Sequence, residues 1–281
     1  MLFQTEQTDE TKVDSVIWDF SECSFLHPFY LAALGVLRNR YNDRVKIAGL
    51  WNSGLSAYFG TVYFDKPFEV TENHTFDVKG IYGNKTYVPL CKFNPKRQEA
   101  SDAVQKLVQD TLKIQIGHHP KLHTILSLSL GEIVDNISDH ANSDEGFIYS
   151  QYMKKEKMLY LFIADTGHSI YSSFVNDGRY ADFLSALESS ALKLALSGKS
   201  TKNRPENENR GYGISRTRKL IVEALGGSFF ILSGGAFFRH EKLNEDTIVD
   251  LPDDIRWDGT VILLKIPTDI PSDLDIYDYI S

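Results

Sequence analysis

Glu132, Asp135, Asn136 and Asp139 are spaced 3, 1 and 3 residues apart, with His140 one turn beyond Asn136. On a helix this spacing makes one polar stripe. Beside it Leu126, Leu130, Ile133 and Ile137, spaced 4, 3 and 4 apart, make an apolar face. A polar stripe bordering a core face is either a solvated flank or the lining of a cleft at the core's edge. Two further features favour the cleft. The apolar run Met158–Ala164 leads straight into Asp165-Thr166-Gly167. A carboxylate at the end of a buried strand is costly without a partner, and a glycine two residues on allows a tight turn or close approach of a ligand. Gly211-Tyr212-Gly213 then stands directly before a helical segment. Glycine before a helix N-terminus exposes backbone N–H groups at the positive end of the dipole, which suits phosphate. A lone Gly-x-Gly is weak; the ordered set of three is stronger.

The elements that must position these residues follow from the patterning. Ser15–Phe20 and Val45–Trp51 read as strands, and Phe29–Arg40, opened by Pro28, as an amphipathic helix between them. The region 52–95 reads as a short helix near 54–60 followed by irregular or extended chain. Lys92–Arg97, with Pro95 in a charge cluster, marks a boundary between a domain at 1–95 and one at 96–281. Glu99–Ile116 and Lys121–Ala141 read as helices, Gly146–Met153 and Met158–Ala164 as a hairpin, and Ala181–Leu196 as a further helix. Gly198–Arg210 is polar and charged, so a mobile segment is expected there. Ile214–Leu225 reads as a helix ended by Gly226-Gly227, and Ser228–Ser233 and Thr260–Ile266 as strands. The acid-rich stretch 241–258 is expected to lie between those strands, and residues 266–281 to form a loose acidic tail. The fold class is α/β (α+β).

The chain of 281 residues carries 30 Lys and Arg against 38 Asp and Glu, a net charge of −8. That balance argues against binding nucleic acid over a broad surface, which needs clustered cations. No apolar run approaches the ~20 residues of a membrane span. Met1–Glu10 is polar and acidic, without the apolar stretch of a signal peptide, so a cytoplasmic location with no membrane partner is expected. Two cysteines, Cys23 and Cys91, cannot build a disulfide framework or a zinc site unaided.

Glu132-Ile-Val-Asp-Asn136, Asp165-Thr166-Gly167 and Gly211-Tyr212-Gly213-Ile214 stand in the order of the three boxes of the ATP-binding domain shared by gyrase, the heat-shock chaperone, histidine kinases and mismatch-repair ATPases (GHKL). Over residues 100–267 the chain resembles that superfamily. The wording LGEIVDNISDHA is most similar to its anti-sigma-factor serine-kinase branch. The stretch VIWDFSECSFLHPFYLAALGVLRNR resembles a STAS domain, the fold of anti-sigma-factor antagonists. There the helix start carries a phosphorylated Ser; here it reads His27-Pro28-Phe29-Tyr30, without that hydroxyl.

The resemblance implies a Bergerat-type α/β sandwich with an ATP site, preceded by a small STAS-like α/β domain. It implies ATP and Mg²⁺ as cofactors. Asp165 then accepts a hydrogen bond from the adenine amino group, and Thr260 is a second adenine contact. Asn136 offers its carbonyl oxygen to Mg²⁺. Glu132 orients or deprotonates the attacking water or hydroxyl. Gly167, Gly211 and Gly213 let backbone approach the ligand, with Tyr212 and Ile214 beside them. Asp135, Asp139 and His140 complete the helix stripe. A lid carrying Lys199, Lys202, Arg204 and Arg210 covers the phosphates. A Glu at 132 favours hydrolysis or transfer to a hydroxyl over transfer to histidine. The function expected is an ATPase or protein kinase of the anti-sigma type, acting on a protein partner held through the STAS-like domain. A nucleotide-switched ATPase, which could work as a homodimer, and a non-catalytic ATP-binding module are the alternatives.

Two departures from the family pattern stand out. Ser169 replaces the last glycine of Asp-x-Gly-x-Gly, and the lid is rich in Asn and charge rather than glycine. Gly198-Lys199-Ser200-Thr201 mimics the end of a P-loop, but Lys193 stands where that motif needs a glycine and a helix precedes it where a strand should. Asn-x-Ser/Thr triplets at Asn73, Asn84 and Asn136 are read as chance matches, and Cys23 as a packed, inert thiol. His118, His119 and His123 are read as loop and capping residues.

Overall fold

Short apolar runs at Val16–Asp19 (β1) and Val45–Ala48 (β2) flank a helix opened by proline, Pro28–Tyr41 (α1). In the computed structural model, which describes residues 15–71, 78–201, 213–271 and 273–280, β1 and β2 pair in parallel as a separate two-stranded sheet. The His27 ring accepts from the Phe29 N–H and caps α1, whose missing donor at Pro28 costs nothing there.

The next stretch is more regular than its sequence suggests. It holds Leu50–Ser53 (α2), Ser56–Thr61 (α3), Phe68–Val70 (β3), Val78–Tyr82 (α4) and Tyr87–Phe93 (β4). Pro89 hides β4 from a strand pattern, because it removes a ladder donor. The strand keeps its place with a register shift between Val88 and Cys91, and Leu90 N–H bonds to the Val62 carbonyl.

Gln98–Ile116 (α5) and Pro120–His140 (α6) follow as two long helices. Leu126, Leu130, Ile133 and Ile137 are all buried, so the apolar stripe of α6 is its core face. Gly146–Met153 (β5) and Met158–Asp165 (β6) form the expected hairpin. Ile170–Asp177 (α7) was not legible as a helix; Ser169 caps it by accepting from the Ser172 N–H, which is what the serine in place of glycine does. The helix expected over 181–196 is only Ser189–Leu196 (α8). Before it, Ser185 and Ser190 side chains take up backbone groups of the 184–188 loop, which competes with helix formation. The helix expected over 214–225 is Gly213–Arg218 (α9) continuing as a π-turn through Lys219–Ala224.

Ser228–Gly234 (β7), Ala236–Glu241 (β8), Thr247–Asp250 (β9) and Trp257–Pro267 (β10) complete the sheet. The stretch 241–258 is therefore not a plain acidic insertion: β9 lies within it, and it starts at the end of β8. The tail is not wholly loose either. Leu274 is buried, Lys121 Nζ donates to its carbonyl at 2.6 Å, and Tyr277–Ile280 (α10) forms a last turn. Apolar anchors there outweigh the four aspartates.

Among the described residues the main sheet is mixed, eight strands in the order β3-β4-β5-β6-β10-β7-β8-β9, parallel only at β3–β4. The fold is thus mixed α and β around one large sheet. The boundary drawn at 95/96 falls between β4 and α5, within an element set that shares this sheet, since β4 pairs with β5. One core cluster runs from Phe20 through to Leu274. Its two faces are distinct. His27 and Phe29 at the start of α1 stack edge-on against Tyr160 at 5.0 and 5.3 Å. Ile163 and Asp165 have the opposite strand parity and point to the other face. That face, backed by α6, carries the site.

Candidate functional site

A cavity of about 310 Å³ opens between β6, β10, α6, α7 and α9. Ile133, Ile137, Ile163 and Ile262 supply its apolar wall. Of the residues singled out from the sequence, Glu132, Asp135, Asn136, His140, Asp165, Lys199, Gly213, Ile214 and Thr260 line it together. They come from chain positions 132 to 260, so the fold and not the sequence makes them neighbours. Asp139 is exposed on α6 and does not line the cavity. Gly167 does not line it either, but acts through its backbone. Arg210, Gly211 and Tyr212, with Lys202 and Arg204, lie outside the described residues.

Asp165 is the deepest polar group, 2% exposed at the end of β6. Its Oδ1 accepts from the Gly167 N–H at 2.9 Å, and the Thr260 N–H also donates to the carboxyl. Burial dominates over these donors and pushes its pKa up to about 7. Gly167 has a second role: a side chain there would strike the Ala141 carbonyl at 2.0 Å. The strand opposite is shaped around the same carboxyl. Gly259 has φ +98°, and a Cβ on it would lie 2.4 Å from both Asp165 O and Oδ1. Trp257 Nε1 donates to Asp165 O at 2.8 Å.

Thr260 is held by its partner strand. Its hydroxyl and that of Ser233 are 2.8 Å apart, and Ser233 Oγ also accepts from Ile170 N–H at the start of α7. On α6, Glu132 Oε1 accepts from Arg216 Nη1 at 2.9 Å. A Cβ on Gly213 would lie 2.5 Å from Glu132 Oε2 and 3.3 Å from Asn136 Nδ2, so glycine is what lets α9 close on these two side chains. At the other end, His140 Nδ1 and Thr201 Oγ1 are 2.8 Å apart, with Lys199 exposed beside them.

Arg216, Ser233 and Trp257 are functional neighbours that sequence reasoning missed. Each reaches its partner across 27 to 92 positions, and no local spacing announces such a contact. Burial pushes the Cys91 thiol up, and Cys23 Sγ donates to the Phe25 carbonyl.

Among the described residues, no group of three or more His, Cys, Asp or Glu could hold a metal by itself. The donor set instead suits Mg²⁺, which takes one or two side-chain oxygens and completes its shell with water and phosphate. The Asn136 amide, facing the cavity, fits that pattern. Comparison with protein-family models, curated proteins and solved structures finds no match for the chain.

Proposed function

We propose that the chain is an ATP-binding protein of the GHKL type, taking Mg-ATP in this cavity and hydrolysing it or passing its terminal phosphate to a hydroxyl of a protein partner. The observation that carries the reading is Asp165. It is a carboxyl buried to 2% exposure that faces a cavity shared with Glu132, Asn136 and Gly213. An enclosed acceptor held by the backbone N–H groups of Gly167 and Thr260 suits a further neutral donor such as an exocyclic amino group. Adenine offers that group where guanine carries a carbonyl. The isoleucine wall suits the flat faces of a base, and the cavity volume is at the lower end of small-molecule sites.

Asn136 would hold Mg²⁺, which when bound neutralises phosphate charge. Glu132 would take the proton of the attacking water or hydroxyl, and Lys199, which also lines the cavity, would add positive charge to it. The N-terminal β1–α1–β2 unit is the surface we assign to the protein partner, in keeping with its STAS-like sequence.

Nucleotide selectivity tests the reading. At pH 8.5, where Asp165 is ionised, titration with Mg-ATP and Mg-GTP is expected to favour ATP at least tenfold, because a buried carboxylate rejects a carbonyl in place of an amine. Equal affinity for the two would sink the assignment of Asp165 to the base. Incubation with γ-labelled ATP then distinguishes free phosphate from a labelled partner, while unchanged ATP would mark a binding module.

A further inference from the structure

We infer that Arg216 is a positioning residue for Glu132, an inference that rests on the nucleotide reading above. Glu132 and Arg216 lie 84 positions apart and meet at 2.9 Å, each side chain about 30% exposed. A pair this open to water contributes little to folding stability. Its effect is on geometry. Arg216 fixes Glu132 Oε1 from one side, and the bare Cα of Gly213, three residues earlier on the same helix face, limits Oε2 on the other. Glu132 lines the cavity and Arg216 does not, so the guanidinium acts through the carboxylate rather than on the ligand.

The step this serves is balanced simply. The attacking oxygen bonds to the γ-phosphorus as the bond to the bridging oxygen of ADP breaks, and the attacking oxygen's proton passes to Glu132. A carboxylate free to rotate would lose the in-line arrangement, and a misplacement of about 1 Å at such a centre costs up to a hundredfold in rate.

The test uses Arg216→Met, which keeps the aliphatic stem, and Arg216→Lys, which keeps the charge. Expected for Arg216→Met is a kcat for Mg-ATP turnover lowered at least tenfold. KM and the calorimetric Kd for ATP should stay within about twofold, with kcat largely recovered in Arg216→Lys. In the nucleotide-free protein, a thermal-melting cycle of Arg216→Met with Glu132→Gln should show only a small coupling, a few degrees at most, so that a large one would mark a structural role instead. An unchanged or raised kcat in Arg216→Met, or a loss confined to KM and Kd, overturns the positioning role. If the wild-type chain binds ATP but does not turn it over, the Arg216 inference falls while the nucleotide reading stands; if it binds no ATP, the nucleotide reading falls first.

Discussion

Asp165 carries a cost that pH reveals. Its folded pKa near 7 lies above the usual value of 3.8, so between those values the folded chain holds a proton that the unfolded chain has lost. Stability therefore falls as pH rises through that window, by ~4 kcal/mol when the full shift is counted. Asp165→Asn removes the titrating group. The difference in melting temperature between variant and wild type should become more positive from pH 5 to pH 8, by several degrees; a pH-independent difference would contradict the burial effect. A second residue-scale expectation concerns Gly213. In Gly213→Ala the new methyl meets the flexible end of Glu132, so stability should change by less than about 1 kcal/mol while Mg-ATP turnover drops at least tenfold. An alanine variant with full turnover would show that Glu132 need not sit where it does. At this scale the gathering of Glu132, Asn136 and Asp165 around one cavity was legible because each belongs to a short local pattern. Arg216 and Ser233 were not, because their meaning lies in a partner on another element.

Between elements, the site depends on how β10 passes β6. The register of β10 against β7 shifts between Trp257 and Thr260, and Gly259 sits in that shift with its positive φ. Gly259→Ala combines an unfavourable backbone conformation with a clash on a carbonyl that cannot move freely. A loss of about 3 kcal/mol or more is expected in chemical denaturation, together with loss of ligand binding. Near-neutral stability would mean that the strand pair relaxes and does not frame Asp165. The elements whose apolar period was clean, α5, α6, β5 and β6, could be read in advance. β8 and β9 are obscured by the acid-rich stretch 241–258 that begins at the end of β8 and contains β9. α7 was obscured because its cap, Ser169, looked like a damaged glycine motif.

Across the described residues, elements from the N-terminal and C-terminal parts share one core, from Phe20 to Leu274. Leu31 of α1 is fully buried, and α1 lies on the face of the sheet opposite the cavity. β4, from the first third of the chain, sits inside the main sheet. Leu31→Ala is expected to cost 2–5 kcal/mol and to lower the unfolding of the whole described chain in a single transition, read by circular dichroism and by tryptophan fluorescence together. Two separated transitions would instead show that the N-terminal part unfolds as a module of its own. Part of the acidity behind the net charge of −8 is locally met: Asp246 and Asp258 pair with Arg218 and Arg40, and Asp250 accepts from Ser189. Overall acidity is thus compatible with an anionic ligand. The central claim is that the buried Asp165 reads an adenine base, and calorimetric titration of Mg-ATP into wild-type and Asp165→Asn protein tests it most directly. Saturable binding of one ATP per chain, weakened about 10- to 100-fold in the variant, is the predicted result. Equal affinity in the two proteins, or no binding by the wild type, would contradict it.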